Sequence, residues 1–247
     1  MRCLHSLLII GLFGVSSLMA QQIPQRKPIL LREYADYIAP NSIYIVGQLI
    51  PVGFSPDGKF AYVVEPPDEA CGCYFFELHI RDLHTDKDVW LKKLLYEGVS
   101  TEQWDRAWKE NGKAIWEQLH SHGIVMANVT PSHFPIASDG SVLRLTIDRK
   151  YMPSPFLPDE KFIRHAQVYL STDSFATKRV ASLDYSDQSL IALDAAMYLH
   201  SPFEDRAAII LLRTKRGWEG PPSPIDYEVI GALLKTGFRQ KNSGSGH

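Results

Sequence analysis

The chain has little cysteine, little net charge and almost no long apolar run, and each shortage excludes something. Its one apolar run, Leu7–Met19, is too short to span a bilayer comfortably. It follows Arg2, and Ser17-Leu18-Met19-Ala20 sets small residues three and one positions before Gln21. This is the pattern of a secretory signal over residues 1–20, with the mature protein starting at Gln21. Cys3 precedes the apolar core, so it cannot be a lipoprotein acylation site. No later run approaches membrane length, so the pattern implies no stable membrane insertion after cleavage. The 26 Lys and Arg, less Arg2, leave 25 against 28 acidic residues, a net of −3. That balance offers no strong field for nucleic acid or an anionic membrane.

After cleavage only Cys71 and Cys73 of the 3 cysteines remain. Two cysteines do not make a disulfide framework, so an apolar core must hold the mature chain of 227 residues. Catalytic signatures are missing too. There is no Gly-x-Ser-x-Gly elbow, Ser-x-x-Lys, phosphate-cradling glycine loop or zinc-protease motif. His122, His133, His165 and His200 are scattered and form no metal-ligand spacing. The sequence therefore nominates no catalytic residue, no metal ligand and no cofactor.

What is present is β pattern. Ser42–Ile50 is rich in β-branched and aromatic residues. Ser55-Pro56-Asp57-Gly58-Lys59 is a tight turn leading into Phe60–Val64. From Tyr74 the alternation sets Tyr74, Phe76, Leu78 and Ile80 on one face and Glu77, His79 and Arg81 on the other. Val89–Leu91 reads as a short partner strand, and further strands are expected at Val142–Ile147, His165–Ser171, Lys178–Leu183, Arg206–Leu212 and Tyr227–Leu234. Residues 101–122 interrupt this pattern. Ser100 and Gln103 form a capping box and Gly123 is a stop. Trp104, Trp108, Ile115 and Leu119 fall within about 60° of one another on a helix, which predicts one amphipathic helix packed on a sheet.

Three segments are alike: FSPDGKFAYVV, IASDGSVLRLT and HSPFEDRAAII. Each places a serine-centred turn before an apolar strand. Val52–Leu91, with its Ser55-Pro56-Asp57-Gly58-Lys59 turn, Leu78–Leu83 strand and Thr85-Asp86-Lys87 turn, resembles a blade of the β-propellers of the periplasmic Tol-system protein and prolyl-oligopeptidase-type enzymes. The chain is also similar to uncharacterised bacterial predicted secreted proteins built around that motif. The resemblance implies hairpin geometry rather than chemistry. The units are unevenly spaced and a helix divides the first two. A mostly β fold of antiparallel, blade-like meanders with one helix is expected over residues 21–240, with a closed β-propeller as the alternative. The tail 241–247 is polar and expected to be disordered.

Two features carry candidate function. Cys71-Gly72-Cys73 can close a local disulfide, since glycine permits the curl; redox activity and metal binding with His79 or His84 are the alternatives. Trp218 and Glu219 lie in a stiff loop before Pro221 and Pro222, and form a possible binding contact for an envelope protein or glycan. The expected role is non-enzymatic recognition or scaffolding by a periplasmic or secreted protein. The alternative is a periplasmic enzyme, either a hydrolase with an unmarked site or a thiol oxidoreductase using Cys71 and Cys73.

Overall fold

A computed structural model describes residues 23–29, 44–68, 71–98, 102–138, 140–154, 159–186, 188–217 and 220–240. The signal segment 1–20, the tail 241–247, Ser100, Asp139, Trp218 and Glu219 lie outside the described residues. After β1 (Tyr44–Val46), strands β2 (Gln48–Phe54), β3 (Lys59–Glu65), β4 (Cys73–Asp82) and β5 (Lys87–Glu97) form the first antiparallel meander. Helix α1 (Glu102–Ser121) follows, then β6 (Val125–Met126), which adds to the β2 edge. The second sheet is the meander β7 (Ile136–Ser138), β8 (Ser141–Pro153), β9 (Lys161–Ser171) and β10 (Thr177–Asp184). The third comprises β11 (Leu190–His200), β12 (Arg206–Lys215) and β13 (Ser223–Leu233). There β1 returns as a fourth strand, parallel to β13. The three serine-centred segments each form the first turn of a sheet, at β2–β3, β7–β8 and β11–β12.

The sheets stack rather than close into a ring. Ala207–Leu212 of β12 are fully buried, as expected of a strand covered on both faces. Their alternation shares them between two cores. Ala207, Ile209 and Leu211 pack with Leu143, Ile163, Val168 and Leu170 of the second sheet. Ala208, Ile210 and Leu212 pack with Leu49, Phe54, Phe60 and Tyr62 of the first. The opposite face of the first sheet, with Ile50, Val63, Phe76, Leu78 and Ile80, packs on α1. The order is therefore second sheet, third sheet, first sheet, helix. A closed propeller would require the first and second sheets to meet, but α1 occupies the face that the first sheet would use. That alternative is overturned.

Helix α1 buries Trp104, Trp108, Ile115 and Leu119, the stripe expected from its period. The Trp104 and Trp108 rings lie 5.7 Å apart, and Phe76 contacts both at 5.6 and 6.0 Å. The helix stops at Gly123, whose φ is +67°. Ile124 N–H donates to Leu119 O and Gly123 N–H to His120 O, the paired bonds of a Schellman end. Gln103 donates its amide to Glu97 O.

Polar clamps register the first sheet on the third. Arg206 is buried. It donates to Leu83 O at 2.9 Å and Glu204 at 2.8 Å, and its Nη2 lies 2.8 Å from His84 Nδ1. Asp86 accepts the Gly231 N–H at 2.6 Å. Only glycine fits at 231, because a Cβ there would lie 1.9 Å from Leu83 O.

Candidate functional site: a charged cleft between the first and third sheets

Beyond these apolar contacts the two sheets diverge into a cleft of about 390 Å³. Its position follows from strand alternation. On β4, Tyr74, Phe76, Leu78 and Ile80 turn to the helix, so Glu77, His79 and Arg81 turn the other way. On the third sheet, the apolar run of β12 ends where Arg213 and Lys215 begin, opposite Asp226 and Glu228 of β13. Tyr62 and Tyr227 contribute to the lining, and Pro66, Pro67 and Pro224 complete it.

The ionisable groups form one chain of alternating charge. Lys93 Nζ lies 2.7 Å from Glu77, whose other oxygen is 3.6 Å from His79 Nε2. His79 Nδ1 is 3.0 Å from Asp88, and Asp88 is 3.5 Å from Arg81. Arg81 crosses to the third sheet, 3.3 Å from Glu228. Glu228 meets Arg213 at 3.0 Å; Arg213 forks onto Asp226 at 2.6 and 2.9 Å; Lys215 lies 3.2 Å from Asp226. The His79 ring lies flat on Tyr62, with centroids 4.9 Å apart and planes 2° apart.

Protonation follows from these partners. Burial alone would lower the His79 pKa, but hydrogen bonds to Asp88 and Glu77 and the charges of both outweigh it and raise the value. The His79 bond, against an opposing burial effect, and the Lys93 ammonium hold the Glu77 carboxyl below its usual range. Burial acts to raise Asp88, yet His79 and Arg81 bring it below the ordinary value. Burial pushes the Tyr62 phenol far up, keeping it neutral. With Asp88 3.0 Å from Nδ1 and Glu77 3.6 Å from Nε2, the carboxylates favour the protonated ring, the form without a lone pair for proton abstraction. Buried pairs of this kind are weak evidence of stability, because desolvation offsets their attraction. Here one contact, Arg81 with Glu228, links the first sheet to the third.

The cysteine pair lies at the entry to β4. The Cys71 and Cys73 sulfurs are in contact, with Cα atoms 5.1 Å apart. Gly72, at φ +65°, supplies the bend that a fully extended strand would lack. Asp68 accepts both the Cys71 and Cys73 N–H groups at 2.9 Å. The same β3–β4 loop carries Pro66 and Pro67 of the cleft wall. Trp218 and Glu219 fall outside the described residues, although the chain on either side supplies Lys215 and Pro224 to the cleft.

Among the described residues, the other histidines do not line the cleft. His165 Nδ1 is 2.8 Å from Asp184, and His200 Nδ1 is 2.8 Å from Ser201 O. Among the described residues, no group of three His, Cys, Asp or Glu side chains could hold a metal ion. Nor is any described helix long and apolar enough to cross a membrane. Sequence reasoning placed Glu77, His79 and Arg81 on one strand face but missed Asp88, Lys93, Arg213, Lys215, Asp226 and Glu228. The available signal was opposite charge at alternate positions, Arg213 with Lys215 and Asp226 with Glu228, at the ends of strands that are otherwise apolar. Comparison with protein-family models, curated proteins and solved structures finds no match to this chain.

Proposed function

We propose that this protein is an exported recognition or scaffolding protein of the bacterial envelope, and that the cleft is where it binds a partner protein or glycan. The observation that carries this reading is the alternating charge chain. Its partly buried members neutralise one another, the carboxylates beside His79 favour its cationic form, and Lys93, 60% exposed, carries an ammonium group at one end. Such a site suits recognition of an acidic group, because the protonated ring and the flanking ammonium groups offer positive charge to it. The Cys71–Cys73 contact is read as a disulfide that fixes the proline wall. The signal pattern supplies the oxidising address.

Site-specific cross-linking in the envelope fraction tests this reading. A photoreactive residue replacing Lys93 should give a discrete adduct. One replacing Arg106 on the far side of α1 should not. N-terminal sequencing of the same material should begin at Gln21. Equal labelling from both positions, or none from either, contradicts the proposal.

A further inference from the structure

A second pocket, of about 440 Å³, opens at the free edge of the second sheet. Three pieces of chain build it. β9 supplies Tyr169, the start of β10 supplies Thr177, Lys178 and Arg179, and the segment after β13 supplies Gly237, Arg239 and Gln240. Thr177 and Arg239 exchange both backbone hydrogen bonds at 2.9 Å, clipping that segment to the sheet edge. Gly237, at φ +84°, takes the left-handed turn this path requires. On β10 the ladder slips between Arg179 and Ala181, a bulge of the kind that re-aims a side chain beside a site.

The charge of this pocket is of one sign. Among the described residues, Lys178, Arg179 and Arg239 line it and no carboxylate does. Elsewhere most arginines of the described chain are paired: Arg26, Arg81, Arg106, Arg144, Arg149, Arg206, Arg213 and Arg216 each meet an acid. The Arg179 and Arg239 guanidinium groups have no hydrogen-bond or ion-pair partner among the described residues. Lys178 donates to Thr236 O at 3.0 Å and sits 4.7 Å over the Phe238 ring. Burial, then the Arg206 charge, pushes its ammonium down to about 8. Like charges gathered without a counter-charge leave a positive potential that an anion relieves. The planar fork of arginine matches tetrahedral oxyanions, and Thr177 and Gln240 add a hydroxyl and an amide, while the Tyr169 hydroxyl donates to Gln167.

We propose that this pocket binds a small organic ligand through a tetrahedral oxyanion, a phosphate or a sulfate group. The site is separate from the cleft and does not depend on its reading. Calorimetric titration of the full chain at low salt tests it. The probes are pyrophosphate, glucose 6-phosphate and a sulfated disaccharide, with glucose and succinate as controls. At least one phosphate or sulfate probe should bind saturably, and the arm that binds identifies the source of the oxyanion. The double variant Arg179→Ala, Arg239→Ala should weaken binding by about tenfold or more, and the corresponding Gln pair, which keeps most of each stem, should do the same. Both side chains are exposed, so the melting temperature should not move. The pair Arg106→Ala, Lys109→Ala on α1 should bind as the parent does. No saturable binding of any probe, equal loss in the α1 pair, or glucose or succinate bound as tightly overturns the proposal.

Discussion

The two ends of the stack are finished in opposite ways. The outer face of the first sheet is apolar and lies under the tryptophans of α1. The outer face of the second sheet carries Thr146, Asp148, His165, Gln167 and Tyr169 at positions that alternate with its buried Ala166, Val168 and Leu170. Both are built on four-stranded meanders, the first extended by β6, yet only one needs a cap. A sheet whose every second residue is polar can end a stack in water; one that is apolar on both sides cannot. The same contrast explains why no ring forms. One terminal face is already occupied by α1, and the other is built for solvent.

That contrast can be tested from both ends and from the interface between them. The largest effect is expected under the helix. Trp108→Ala empties a fully enclosed site and should cost about 3–5 kcal/mol in urea unfolding. A loss below about 1 kcal/mol would mean that the cap is not packed. An intermediate effect is expected in the cleft. Arg213→Ala strips Asp226 and Glu228 of a shared partner and should cost about 1.5–3 kcal/mol, with a double-mutant cycle against Asp226→Asn showing coupling. Additive losses would show that the charge chain is not one unit. The smallest effect is expected on the solvated face. His165→Ala removes one end of the Asp184 contact and should change stability by less than about 0.5 kcal/mol.

Much of this architecture was legible because its signals are local. The Trp104–Leu119 stripe, the Gly123 stop, the Pro56-Asp57-Gly58 turn and the Tyr74–Arg81 alternation each follow from nearest-neighbour physics. The strand Leu190–His200 gave no such signal. Its sequence LIALDAAMYLH is rich in residues that favour helix, and its place beside β12 decides its structure. β5 was expected as Val89–Leu91 but runs Lys87–Glu97. Lys92 and Lys93 mask its continuation, although Lys93 is one end of the charge chain. The cleft is the least legible feature. Glu77 and Glu228 are 151 residues apart in sequence, and only the stacking of the third sheet on the first joins their partners through Arg81. The stacking order itself is written in β12, whose unbroken run from Ala207 to Leu212 needs cover on both faces.

Titration of the His79 ring protons by NMR tests the cleft most directly. The recognition reading requires a paired imidazolium, so the apparent pKa should lie above the ordinary 6.5 and fall toward or below it in Asp88→Asn. The sign for stability follows. His79 contributes fully below its unfolded value of 6.5, and that contribution is lost as pH rises through the raised folded value. Glu77 and Asp88 act in the opposite sense. Their contribution is present above their ordinary values of 4.5 and 3.8, and is lost as pH falls through their lowered folded values. His79, Glu77 and Asp88 therefore contribute together between about 4.5 and 6.5. A His79 pKa below 6.5 would contradict this account, because it would place a neutral imidazole with a free lone pair in the cleft and make proton abstraction its natural chemistry.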